Sequence, residues 1–164
     1  GVYKLKDFKK LLDTEEYKFL KEHPRLGNRI MLLGVGGSYA YGTDYENSDI
    51  DFRGITLNLP SDLLGLTKFE QYEDRKTDTG IYSFNKMIRL LLECNPNTCE
   101  ILGLEKEGYV ILSELGQELL DNRSLFLTKR AAKSSEDTPR RIFAVFKMPL
   151  PEILCLRHSG NNIF

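Results

Sequence analysis

Leu5, Phe8, Leu11 and Leu12 recur at helical spacing with lysines between them, and Tyr17, Phe19 and Leu20 extend the apolar pattern toward His23-Pro24. One or two short helices ending there are predicted. Arg29 to Val35 is almost wholly apolar and is closed by Gly36-Gly37, the pattern of a short strand buried on both faces. Ser38 to Gly42 reads as a helical turn and Thr43 to Ser48 as a polar loop. Asp49 to Leu57 then alternates polar and apolar residues at its start, as a second strand does. Pro60 with Ser61-Asp62 opens a short helix running through Leu63, Leu64 and Leu66, the Ser-Asp pair serving as its cap. A third strand is expected over Lys76 to Tyr82. Ser83 then caps a helix to Glu93 whose Phe84, Met87, Ile88, Leu91 and Leu92 share one face. Asn95-Pro96-Asn97 breaks that helix, Asn97 caps another through Cys99, Ile101 and Leu102, and a strand at Tyr109 to Leu112 and a helix at Glu114 to Leu120 follow. Strands and helices mixed in this way predict an α+β domain.

The 164 residues hold one domain's worth of core. A net charge of -1 removes the electrostatic footprint of a polybasic nucleic-acid binder. No apolar run is long enough for a membrane span, and Gly1 to Lys6 lacks the apolar core of a secretion signal, so a cytoplasmic protein is expected. Cys94, Cys99 and Cys155 are odd in number and lack paired spacing, and only His23 and His158 could join them. Neither a disulfide framework nor a zinc site is expected.

The chemistry concentrates between residues 36 and 53. On a strand, Asp49 and Asp51 point to one face while Ile50 and Phe52 point into the core. Two adjacent carboxylates repel unless a cation joins them, and hard oxygen donors suit Mg²⁺ or Mn²⁺. The glycine turn ahead of them lets backbone amides approach an anion, and Ser38 adds a hydroxyl donor at a prospective helix start, where phosphate is favoured. Other glycine-loop motifs fail on spacing. A P-loop needs Gly-Lys-Ser/Thr where Gly37-Ser38-Tyr39 stands, and a dinucleotide fingerprint needs a small residue at Tyr39.

Gly37-Ser38, a ten-residue spacer and Asp49-Ile50-Asp51 together resemble the motif of the DNA polymerase β nucleotidyltransferase superfamily. Gly37 to Gly42, Ser48 to Gly54, Asn95-Pro96 and Glu100 within Asn97 to Leu102 are similar to a bacterial and phage group of predicted nucleotidyltransferases, over roughly residues 1 to 130. The resemblance implies a mixed β-sheet flanked by helices and the transfer of a nucleoside monophosphate from an NTP to a hydroxyl, with pyrophosphate released. It implies that Asp49 and Asp51 hold Mg²⁺ or Mn²⁺ while Gly37 and Ser38 cradle the NTP phosphates. It also implies a third carboxylate on a neighbouring strand, completing the metal site and drawing the acceptor's proton. Asp78 is the candidate, with Asp74 and Glu73 as next choices. Arg53 is a candidate phosphate contact through its forked donors. Asn95 and Glu100 are read as helix-end and surface residues. Of Tyr39, Tyr41, Tyr45, Tyr72 and Tyr82, one is available to stack on a base. The acceptor is an RNA end, a tRNA or a protein hydroxyl. Alternatives are a non-catalytic nucleotide-binding or regulatory module and a protein-modifying enzyme of the antitoxin type.

The domain is expected over residues 1–132, with 133–164 an irregular tail: Ser134 to Pro139 has no period, and Pro149-Leu150-Pro151 interrupts the later apolar run. The family resemblance stops near Arg130-Ala131, where these proteins usually continue with a helix rich in Gly-Tyr, Gln-Leu and Arg-Arg-Leu. Back-translation of Lys133 to Glu152 from the third base of the Lys133 codon permits Lys-Phe-Gly-Gly-Tyr-Ala-Gln-Ala-His-Leu-Arg-Arg-Leu-Gln-Asn-Ala-Ile-Ala-Arg. That peptide is close to the expected continuation, so the tail is read as out of frame.

Overall fold

Residues 30–35 are buried without exception, and this apolar run forms the strand around which the sheet is built. The computed structural model describes residues 5–36, 50–93 and 95–124. Within them lie α1 (Leu5–Leu12), α2 (Phe19–Glu22), β1 (Ile30–Val35), β2 (Phe52–Thr56), α3 (Pro60–Leu63), β3 (Gln71–Asp74), β4 (Thr79–Ser83), α4 (Phe84–Leu92), α5 (Pro96–Leu102), β5 (Tyr109–Leu112) and α6 (Glu114–Asp121). The five strands make one mixed sheet in the order β3-β4-β2-β1-β5. β1 is antiparallel to β2 and β5, β4 is antiparallel to β3, and β2 runs parallel to β4. The expected α+β fold with helices flanking a mixed sheet is therefore present, and β1 and β2 are direct neighbours in it.

Both sheet faces are covered. Leu33, Val35, Phe52 and Ile81 pack under Phe8, Leu12, Tyr17 and Leu20 on one face. Leu32 and Ile55 pack under Phe84, Met87, Leu91, Leu102 and Leu119 on the other. The predicted α4 cap is present, the Ser83 hydroxyl accepting from the Lys86 amide at 3.2 Å. Gly116 lets α6 approach closely, since a Cβ there would stand 2.1 Å from the Met31 carbonyl oxygen. Among the described residues no helix is long and apolar enough to cross a membrane.

Three local expectations are corrected. The strand expected at Lys76 to Tyr82 is the second arm of a hairpin, and residues 75–78 are its turn. Asp74 closes that turn by accepting from the Thr77 amide at 3.0 Å and the Thr77 hydroxyl at 2.6 Å, while Asp78 adopts a left-handed backbone with φ 45°. The first arm, Gln71–Asp74, lies at the sheet edge, where polar residues are favoured and no buried alternation betrays a strand. α3 stops at Leu63, and Asp62 bonds back to the Leu59 amide at 2.9 Å from the third helical position instead of capping from outside. Leu64 and Leu66 lie beyond it, exposed on either side of the left-handed Gly65. α5 begins at Pro96, where a proline's missing N–H costs nothing, and so Asn97 is inside the helix.

Candidate active site

The sheet face beneath α4, α5 and α6 carries a row formed by Gly34, Arg53 and Gly80, paired across β1, β2 and β4. Two glycines flank one arginine, so the sheet floor there is low. Over Gly34 and Arg53 lies a cleft of about 290 Å³, walled by Gly36, Asp51, Tyr82 and Glu100 and by the apolar Ile101 and Leu104.

Asp51 stands at the upper edge of the sheet, immediately before β2. Its carbonyl accepts from the Gly36 amide at 2.9 Å, continuing the β1–β2 ladder by one bond. That bond places Gly36 directly in front of the carboxylate: a Cβ on Gly36 would be 2.7 Å from Asp51 Oδ2. Phe52 is fully buried on the opposite face and Ile50 packs beside it, so the predicted alternation holds for Asp51. Burial raises the Asp51 carboxyl above the ordinary carboxylate range. The Arg53 charge and a backbone hydrogen bond oppose this, whereas the charges of Asp78 and Glu100 add to it.

Arg53 ties the site to the hairpin turn. Its Nη1 donates to the carbonyls of Phe52 at 3.0 Å and Asp78 at 2.7 Å, and Nη2 donates to Asp78 Oδ1 at 3.1 Å. Nη2 also lies 3.6 Å from Asp51 Oδ2. The guanidinium stem lies over Gly80, where a Cβ would meet Arg53 Cδ at 3.4 Å. Asp51, Arg53 and Asp78 are thus brought together. Asp78, expected to open a strand, sits in the turn just before β4, its side chain 59% exposed.

Gly37, Ser38, Asp49, Tyr39, Tyr41, Tyr45 and the tail lie outside the described residues. Tyr72 is on the opposite sheet face, stacked on Phe19 with ring centroids 5.2 Å apart, whereas Tyr82 lines the cleft. Glu100, read from sequence as a surface residue, is exposed and lines the open cleft from α5.

A divalent ion is the group this type of site implies. Asp51 fits as a ligand in its donor chemistry, offering hard carboxylate oxygens, of which Oδ2 faces the backbone of Gly36 and lies 3.6 Å from Arg53 Nη2. Among the described residues no three His, Cys, Asp or Glu side chains converge on a common point able to hold an ion. Asp51 is accordingly the one described member of the Asp-x-Asp pair.

The model of the RNA repair pathway DNA polymerase beta family, RlaP, matches residues 9–132. No curated protein and no solved structure matches the chain. With the match spanning β1, the Asp51 edge, the cleft and α6, the chain belongs to the RNA repair pathway DNA polymerase beta family, a group of polymerase-β-like nucleotidyltransferases.

Proposed function

We propose that this protein transfers a nucleoside monophosphate from an NTP to a hydroxyl at an RNA end in a reaction that depends on Mg²⁺ or Mn²⁺. The observation that carries this reading is the Asp51 carboxylate, its carboxyl raised above the ordinary range chiefly by burial, facing the backbone of Gly36 and lining the cleft. A half-buried carboxylate is poorly served by solvent and well served by a cation. Asp49 and Asp51 would hold the ion, with Asp78 as the third carboxylate. The bound ion would neutralise charge on the triphosphate as the leaving group departs. Gly37 and Ser38 cradle phosphates, and Arg53, whose fork already reaches from Phe52 to Asp78, orients them. The family's connection with RNA repair favours RNA over a protein hydroxyl as acceptor.

The test is incubation of the full chain with α-labelled NTPs, Mg²⁺ and RNA. Label passes to RNA, and Asp51→Asn removes both transfer and metal-dependent NTP binding. Metal-dependent binding without transfer to any RNA or protein would instead establish a nucleotide-binding module.

A further inference from the structure

We propose that the Tyr82 ring, steadied by Lys86, is the platform on which the base of the NTP stacks, an inference that rests on the nucleotidyl-transfer reading above. The cleft is divided by chemistry. Gly36, Asp51 and Arg53 at the sheet edge suit a cation and phosphates, whereas Tyr82, Ile101 and Leu104 bring aromatic and aliphatic surface to the same space. A nucleotide has the same division, charged at one end and flat and largely apolar at the other.

Strand register sets the spacing between the two ends. Arg53 pairs with Gly80, and Tyr82 lies two residues farther along β4 on the same sheet face. That step is roughly 6–7 Å, which leaves a ribose's length between phosphates at Arg53 and a base at Tyr82. β4 lies between β2 and β3, with Tyr82 beside Ile55 on one side and Gln71 on the other, so its backbone is fixed.

The ring is restrained as well. Lys86, in the first turn of α4, places Nζ over the Tyr82 ring, 5.5 Å from its centroid. That ammonium is itself held, donating to Gln71 Oε1 and lying 3.9 Å from Glu70 Oε2. Among the described residues no hydrogen bond engages the Tyr82 hydroxyl, and that oxygen is open to solvent. Other described tyrosines are engaged elsewhere: Tyr72 stacks on Phe19 on the opposite sheet face, Tyr17 is buried there, and the Tyr109 hydroxyl donates to the Ile101 carbonyl. Tyr82 thus brings to the cleft an aromatic surface with little freedom left to lose, which is what base stacking asks of a side chain.

Calorimetric titration of the full chain with Mg²⁺ and α,β-methylene NTPs, and separately with Mg²⁺ and inorganic tripolyphosphate, separates base from phosphate. Tyr82→Ala weakens nucleotide binding about 5–150-fold and leaves tripolyphosphate affinity within about twofold, while Tyr82→Phe, which keeps the ring, recovers most of the loss. Circular dichroism and melting curves check that the variants fold. In the parent chain, independently of any substitution, Tyr82 ring protons show nuclear Overhauser contacts to protons of the bound base. Unchanged nucleotide binding by Tyr82→Ala, an equal loss of nucleotide and tripolyphosphate binding, or no Overhauser contact in the parent chain would each overturn the assignment. Absence of label transfer by a parent chain that binds NTP would defeat the nucleotidyl-transfer reading instead, and the same titrations would still decide the role of Tyr82. A parent chain that binds no NTP would overturn both.

Discussion

Gly36→Ala separates the site from the fold more cleanly than removal of a charge does. Gly36 does not use the left-handed backbone reserved for glycine, so alanine is conformationally acceptable there and by itself stabilises through the unfolded chain by about 0.4–1 kcal/mol. The added methyl, however, would stand 2.7 Å from Asp51 Oδ2 and 3.2 Å from both Oδ1 and Cγ. To restore ordinary contact the carboxylate moves by roughly 0.7 Å, against neighbours that include Arg53. Overpacking of this kind costs about 1–3 kcal/mol, so the net change in unfolding free energy is destabilising by about 0–2.6 kcal/mol and the chain stays folded. The site is affected far more: a displacement approaching 1 Å lowers the transfer rate by about 10²-fold, and metal-dependent NTP affinity falls with it. Urea denaturation measures the first quantity, and calorimetric titration of Mg²⁺-NTP with single-turnover label transfer measures the second. A Gly36→Ala variant with parental affinity and rate would refute the placement of the site at Asp51.

The Asp62 side chain is 3% exposed; burial alone would raise its carboxyl, but hydrogen bonds from Arg25, the Thr67 hydroxyl and the Leu59 amide hold it below the ordinary carboxylate range. A depressed folded pKa stabilises above the unfolded carboxylate value and the effect fades as pH falls through the folded one, so Asp62→Asn loses about 3 kcal/mol at neutral pH and approaches the parent in acid, as urea titrations at several pH values would show. The Tyr109 hydroxyl is pushed up to about 12, chiefly by burial. Tyr109→Phe removes its bond to the Ile101 carbonyl and costs about 1–3 kcal/mol near neutrality. Because its raised pKa gives stability that is lost as pH rises from about 10 toward 12, thermal melts of the parent decline through that alkaline window more steeply than those of the variant. We propose that residues after about Lys133 are an out-of-frame tail. The coding DNA read from the third base of the Lys133 codon then encodes a helix containing Gly-Tyr and Arg-Arg-Leu, and restoring that frame raises transfer activity; stop codons or an unrelated peptide would refute this.

The sequence by itself determined the features that short-range periodicity encodes. An apolar run closed by glycines specified β1 because a central strand is buried on both faces. Ser83 followed by apolar residues on one face specified α4, and alternation through Phe52 set the face of Asp51. The tertiary structure decided what depends on register between distant segments. Only the parallel pairing of β2 with β4 places Gly80 beside Arg53 and brings the turn residue Asp78 onto its guanidinium. Gly34 and Gly80 look like ordinary strand glycines until that register sets them on either side of Arg53, Gly34 lining the cleft and Gly80 lying under the Arg53 stem. The Asp74–Thr77 turn replaced an extended segment because one carboxylate satisfied two local donors, and the polar edge strand before it had no buried face to mark it. Glu100 is local to a helix that reads as solvated on that side, and it reaches the cleft because burial of Thr98, Ile101 and Leu102 fixes the rotation of α5 over the sheet. Periodicity tells a residue which face it occupies, whereas the partner across that face is set by packing between segments far apart in the chain.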